Sequence, residues 1–118
     1  MNTSVTWDAL KKVAHAIPGV NEGSSYGTPA LFVGKKLIAR LREGASSVAV
    51  RTDPVSGDFL LRADPGMFFL TDHYREYPWI LVRLAGARPE PLRELLEAAW
   101  RLVAGKRAIA GYDARSSQ

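Results

Sequence analysis

Apolar residues recur at spacings of three and four in two stretches of the chain, and this spacing predicts two amphipathic helices. The first covers residues 4–17, where Ser4 or Thr6 could act as the N-cap. The second covers residues 90–104. Its apolar face consists of Leu92, Leu95, Leu96, Ala99, Leu102 and Val103. Trp100 lies at the edge of this face, so we expect its side chain to be half exposed.

Alternating apolar and polar residues predict strands in the middle of the chain. Residues 29–33, 36–42 and 47–51 favour a three-stranded antiparallel meander, which the chain enters through a loop at 21–28. Strict alternation directs one set of side chains toward the core, namely Leu37, Ala39, Leu41, Val48 and Val50. The opposite set faces outward and consists of Lys36, Ile38, Arg40, Arg42, Ser47, Ala49 and Arg51.

Three further elements follow the meander. Residues 53–63 favour a short helix that Asp53 could cap, and residues 68–71 and 79–84 favour two more strands. The resulting order α-β-β-β-α-β-β-α predicts an α+β fold, a two-layer sandwich in which an antiparallel sheet carries its helices on one face. Trp7 and Trp79 are expected in the core.

The length of 118 residues fits one domain, with no room for a second core. Lys106 and Arg107 follow the last predicted helix, and residues 106–112 could add a short helical turn against the body. We expect residues 113–118 to form a flexible tail.

The composition argues against several kinds of chemistry. The chain has no cysteine, which excludes disulfides, thiolate nucleophiles and cysteine metal sites. His15 and His73 are far apart, and neither has metal-ligand spacing around it. These features predict a protein without a metal site. No apolar run approaches the ~20 residues of a membrane span, and the first residues do not resemble a signal peptide. We therefore expect no membrane partner and a cytoplasmic location.

The excess of positive charge is concentrated in one short segment. The net charge is +4, from 16 basic and 12 acidic residues. Residues 35–51 contain one acid, Glu43, and five bases, whereas the rest of the chain is neutral. These five bases are Lys35, Lys36, Arg40, Arg42 and Arg51. A β-hairpin with this charge could lie along a nucleic-acid backbone. A solvated sheet face, or a strand protected from edge pairing, would explain the same residues.

Several motifs, read in order, resemble those of YjbR-like (MmcQ/YjbR) proteins. The entry is carried by Ile17-Pro18-Gly19 and Ser25-Tyr26-Gly27-Thr28-Pro29-Ala30, and the first hairpin by Gly34-Lys35-Lys36-Leu37-Ile38-Ala39. The later motifs are Asp64-Pro65-Gly66-Met67-Phe68, Tyr74-Arg75-Glu76-Tyr77-Pro78-Trp79-Ile80, Leu95-Leu96-Glu97-Ala98-Ala99-Trp100 and Lys106-Arg107. The resemblance implies a fold like that of the type III secretion chaperones, α-β(3)-α-β(2)-α. It also implies a DNA-binding role and no catalytic residue or cofactor.

Two smaller groups of residues could contribute to a ligand surface. Tyr26, before Gly27, could be a stacking platform, although a structural turn with Tyr26 covering the edge of the core explains the same residues. His73 and Tyr74 could line the same surface. Asp72 is poorly placed to orient His73 because neighbours on an extended chain point to opposite faces.

Three functions remain open from the sequence. The first is a non-enzymatic DNA-binding protein that contacts the backbone through the basic hairpin, with Lys106 and Arg107 as further contacts. The second is a protein-interaction or chaperone-like module, which could be a homodimer. The third is a small-molecule binder or enzyme with a pocket near Tyr26, His73 and Tyr74, for which the sequence offers no acid–base pair.

Overall fold

The computed structural model describes residues 6–42, 44, 46–74 and 78–116. Within this part of the chain the helices are α1 (Trp7–His15), α2 (Pro54–Ala63), α3 (Pro89–Val103) and α4 (Lys106–Ser116). The strands are β1 (Val20–Ser25), β2 (Thr28–Val33), β3 (Lys36–Leu41), β4 (Ser47–Arg51), β5 (Phe68–Phe69) and β6 (Trp79–Arg83). Short 3-10 turns lie at Asp72–Tyr74 and Leu84–Gly86.

The strands form one antiparallel sheet in the order β1-β2-β3-β4-β6-β5. The first four strands are a meander, and β6 inserts between β4 and the two-residue strand β5. The helices α1 and α3 pack against each other and α3 against β3 and β4. The predicted α+β class, with helices on one face of an antiparallel sheet, is therefore confirmed.

The core lies between this helical layer and the facing side of the sheet. From the sheet it takes alternate residues, including Val48 and Val50 of β4 and Ile80 and Val82 of β6. Their registers match, since Val48 pairs with Val82 and Val50 with Ile80. Side chains one position along each strand must therefore point away from the helices. We call that second side the helix-free side of the sheet.

Two of the predicted helix caps are present. The hydroxyl of Thr6 accepts a hydrogen bond from the backbone N–H of Ala9 at 3.1 Å, so Thr6 is the N-cap of α1. The carboxylate of Asp53 accepts one from Ser56 N at 2.8 Å at the start of α2. Backbone and side-chain hydrogen bonds from Ser56 lower the pKa of Asp53. Ser4 lies outside the described residues.

The segment predicted as a loop at 21–28 instead contains strand β1. Its residues are mostly polar and have low strand propensity, so local preference did not reveal it. Pairing with β2 and the two-residue turn at Tyr26 and Gly27 create the strand. At Gly23 an added Cβ would lie 2.9 Å from Cε1 of Phe32, so the glycine makes room for that ring on the helix-free side.

A β-bulge interrupts the alternation of side chains predicted for β3, so the predicted directions of Leu37 and Ile38 are wrong. Leu31 pairs with Ala39 but Phe32 pairs with Leu37, so Ile38 is the extra residue. Ile38 joins the core beside Ala39. Before the bulge, side chains of β3 point to the side opposite to the predicted one. Leu37 therefore lies on the helix-free side with Phe32 and not in the core. The register places Lys36, paired with Val33, on the helical side, so its predicted position on one face with Arg40 and Arg42 is wrong.

The C-terminal segment is a helix and not a flexible tail, at least as far as the structure describes it. Helix α4 runs through Ser116, and residues 117 and 118 lie outside the described part. Tyr112 of α4 meets Trp100 edge to face with 5.1 Å between ring centroids, and its hydroxyl donates to Glu97 Oε2 at 2.8 Å. This hydrogen bond and the partial burial of the hydroxyl raise the pKa of Tyr112. These contacts dock α4 on α3.

Candidate nucleic-acid interface

Three strands place arginine side chains on the helix-free side of the sheet. Arg40 lies on β3, Arg51 on β4 and Arg83 at the end of β6, and Arg42 directly follows β3. The register fixes their direction, because Arg40 pairs with Ala49, which alternates with the core residues of β4. We call this surface the arginine face, and its cations are Arg40, Arg42, Arg51 and Arg83.

Small and apolar side chains lie under the arginines. Ala30 and Ala49 flank Arg40 across the sheet, and Leu81 pairs with Ala49 one strand further. All three are buried although they point away from the helices. Arginine stems and neighbouring rings therefore cover this side of the sheet. Arg83 is exposed, and the other three arginines are half-buried.

Each guanidinium group lies over an aromatic ring. The rings come from the tip of the β1–β2 hairpin, from β5 and β6, and from the 3-10 turn at Asp72–Tyr74. The distances from the guanidinium carbon to the ring centroid are 5.3 Å for Arg40 on Tyr26, 5.5 Å for Arg42 on Tyr74, 5.8 Å for Arg42 on Phe69, 5.0 Å for Arg51 on Trp79 and 4.3 Å for Arg83 on Phe69. Each such contact typically stabilises by about 0.5–1 kcal/mol at exposed sites.

Neutral oxygen atoms orient the same guanidinium groups. The hydrogen bonds run from Arg40 Nε to Ser25 O at 3.1 Å, Arg40 Nη1 to Tyr74 Oη at 3.4 Å, Arg42 Nη1 to Ser47 Oγ at 3.0 Å, Arg51 Nε to Leu37 O at 2.8 Å and Arg83 Nη1 to Pro65 O at 2.9 Å. Because the acceptors carry no net charge, they fix the direction of each cation without neutralising it.

Among the described residues, no carboxylate lies within 4.0 Å of a guanidinium nitrogen of the arginine face. Arginines that belong to the helices and their ends do have acidic partners. Arg101 pairs with Asp113 at 2.6 Å and Arg88 with Asp64 at 2.8 Å. These hydrogen bonds lower the pKa of both aspartates. The described ion pairs thus leave the positive charge of the arginine face uncompensated.

The structure brings together five of the residues that the sequence suggested. Arg40, Arg42 and Arg51 point to the same side, and Tyr26 and Tyr74 contact two of them. The alternative role for Tyr26, covering the edge of the core, is wrong because its side chain is 88% exposed. The core position predicted for Trp79 is also wrong, since its ring lies on the arginine face under Arg51.

Other suggested residues lie elsewhere. Lys35 is exposed in the turn between β2 and β3, as predicted, and Lys36 faces the helical side. Lys106 and Arg107 begin α4, so they occupy a helix N-terminus instead of following the last helix. Since α4 docks on α3, across the sheet from Arg40, they do not extend the arginine face. The side chain of His73 lies outside the described residues.

Sequence reasoning missed two members of the site, Arg83 and Phe69. The alternation of β6 contained a signal for Arg83, because Trp79, Leu81 and Arg83 share one side of that strand. No sequence pattern placed β6 beside β4, so Arg83 could not be grouped with Arg51. Phe69 lies on an edge strand of two residues, which is too short to show a period.

The described residues lack both a metal-binding cluster and a membrane-spanning helix. They contain no group of three or more His, Asp or Glu side chains that could hold a metal ion. No helix among them is both long and apolar enough to cross a membrane.

The fold and site define a small α+β domain whose single sheet carries helices on one side and arginines on the other. A family model described as YjbR matches residues 15–102, and the chain belongs to this family. The mycobacterial proteins Rv2570 of Mycobacterium tuberculosis (strain ATCC 25618 / H37Rv) and Mb2600 of Mycobacterium bovis, both described as uncharacterized, are each 33% identical to it. Each match covers 94% of this chain and 98% of the relative.

A solved structure shows the same fold. The crystal structure of Deinococcus radiodurans protein DR2400, described as a DUF419 domain, superposes with a TM-score of 0.72 and 25% sequence identity. The match covers 90% of this chain and 83% of that one. The family suggested by the sequence motifs is thereby confirmed, and so is the α+β fold, to whose predicted order the structure adds strand β1 and helix α4.

Proposed function

We propose that this protein is a non-enzymatic nucleic-acid-binding protein whose arginine face contacts the phosphate backbone. The observation that supports this most directly is the set of four arginines on one side of the sheet with no acidic partner among the described residues. Arginine stays protonated and offers several donors but no acceptor, which suits anion binding better than proton transfer. Neutralising phosphates then releases counterions and supplies affinity.

We extend the proposed contact from the hairpin to a whole side of the sheet. In the hairpin hypothesis the cations lay in one strand pair. Arg83 adds a charge two strands away from Arg40, or about 10 Å at normal strand spacing. A surface of this size suits a few consecutive phosphates.

Replacing Arg40 and Arg42 together by glutamine tests the proposal. Glutamine keeps part of each stem over the sheet but removes two charges. We expect affinity for an oligonucleotide to fall by at least about tenfold. The slope of log K against log salt should shrink by about 1.4 for a single strand, or 1.8 for a duplex. Fluorescence anisotropy between about 50 and 200 mM NaCl measures both quantities.

The matched control removes the same charge from the helical side, through Lys106→Gln with Arg107→Gln. This variant should bind within about twofold of the unchanged protein. Equal losses in the two double variants would show that only net charge matters. If the unchanged protein binds neither single-stranded nor duplex oligonucleotides at low salt, the proposed function is wrong.

Protein interaction is a second candidate, favoured by two exposed apolar side chains one turn apart on α2. Val55 is 81% exposed and Phe59 is 68% exposed. The edge strand β1 could also pair with another chain, but its four central residues are exposed and include no large apolar side chain. Light scattering over a range of concentrations tests self-association. A dimer that Phe59→Ser dissociates would favour this candidate.

A further inference from the structure

Two cations of the arginine face, Arg40 and Arg51, lie low against the sheet. Arg40 and Arg51 each donate through Nε to a backbone oxygen, at 3.1 and 2.8 Å, and both side chains are half-buried. A duplex is a stiff cylinder, and proteins usually read it with a helix or ribbon that enters a groove. Cations held low against the sheet match a flexible strand that can follow the surface.

Every cation of this surface contacts an aromatic ring. Tyr26, Phe69, Tyr74 and Trp79 each lie within 6 Å of a guanidinium carbon. Phosphate contacts alone need no rings. Unpaired bases, however, stack on aromatic side chains and on the planes of arginine guanidinium groups. A duplex keeps its bases stacked on each other, so it offers phosphates to the arginines but no base face to the rings.

Tyr26 is the ring most open to a ligand, and its backbone conformation is unusual. Tyr26 and Gly27 are the central residues of a two-residue hairpin, with φ values of 52° and 81°. Positive φ at both positions marks a type I′ turn, where asparagine, aspartate or glycine is favoured first. A tyrosine that is 88% exposed there does not help the hairpin to form. Such strain is often retained at binding sites.

From these observations we infer that the arginine face binds single-stranded nucleic acid in preference to duplex, with a base stacked on the free side of the Tyr26 ring. The inference rests on the proposed function and specifies its ligand. Arg40 lies over Tyr26 and donates to Ser25 O beside the turn, so ring and cation are positioned together. A base on the ring and its phosphate on Arg40 would use both groups at once.

The test is Tyr26→Asn, which removes the ring and places a favoured residue in the turn. We expect affinity for a short oligothymidylate to fall about tenfold, as for the loss of one stacked base. Affinity for a duplex of equal length should change by less than about twofold, because the cations remain. The melting temperature should stay level or rise by about 2 °C. Thus misfolding would not explain the loss.

Tyr26→Phe is the conservative control and should retain oligothymidylate binding within about twofold, since stacking needs only the ring. Oligouridylate in a parallel titration shows whether ribose is accepted, and preference for either single strand over the duplex supports the inference. Equal or tighter binding of the duplex overturns it and leaves the proposed function intact. An unchanged oligothymidylate affinity in Tyr26→Asn also overturns it.

Discussion

Trp100→Ala should lower the free energy of unfolding by about 3–5 kcal/mol, because it removes a large side chain from the centre of the helical layer. Trp100 is 1% exposed and belongs to the core between α3 and the sheet. Its ring also supports Tyr112, so the truncation weakens the docking of α4. A loss of this size is a large part of the 5–15 kcal/mol that typically stabilises a domain. Urea denaturation followed by circular dichroism measures it.

Trp7→Ala provides the comparison, since Trp7 packs against the core but is only partly buried. Its truncation should cost clearly less than that of Trp100, because more of the removed surface already contacts water. A loss below about 1.5 kcal/mol for Trp100→Ala would contradict the packing of α3 described above.

The burial of Trp100 shows why the sequence predicted the helix but not its whole buried surface. At 3.6 residues per turn, Trp100 and Leu102 lie about 80° to either side of Leu92, near the middle of the apolar stripe. Periodicity alone treats these two flanks alike. Helix α4 covers the Trp100 side, whereas Leu102 is 48% exposed. The sequence predicts a short helical turn at residues 106–112 and a tail at 113–118, but nothing in it indicates which flank of α3 this segment covers.

Local signals were sufficient where a segment's own residues determine its structure. Asp53 is followed by Pro54 at the first helical position, and this pair starts α2 as expected. The turn at Gly34 and Lys35 was also predictable, because glycine favours the positive φ of 61° found there. Strand β1 and the bulge at Ile38 depend on which strands pair, and pairing is a property of the assembled sheet.

The candidate site likewise has one part that the local sequence predicts and another that depends on strand pairing. The clustering of charge in residues 35–51 was visible in the sequence, and three of its five bases do lie on the arginine face. The rings beneath them come from distant segments, since Phe69 and Tyr74 meet Arg42 only through the sheet order. Chemical type could therefore be predicted from the sequence, whereas the cation–ring pairing required the structure.

Lysine at all four positions of the arginine face should separate charge from planar stacking. The variant combines Arg40→Lys, Arg42→Lys, Arg51→Lys and Arg83→Lys and keeps the net charge of +4. Lysine is a point charge without the planar group that stacks on rings and bases. If a base stacked on each of the four guanidinium groups contributes about 0.5–1 kcal/mol to binding, oligothymidylate affinity should fall on the order of 100-fold.

Binding to heparin, a polyanion without bases, is the matched measurement and should remain within about threefold, because lysine also neutralises anions. Circular dichroism verifies that the variant is folded. Trp79 lies under Arg51, so its emission should respond to oligothymidylate in the unchanged protein and respond less in the variant. Oligothymidylate affinity within about threefold of the unchanged protein would mean that the arginines act only as charges. Equal losses for heparin and oligothymidylate would instead point to a displaced surface, since stacking cannot contribute to heparin binding.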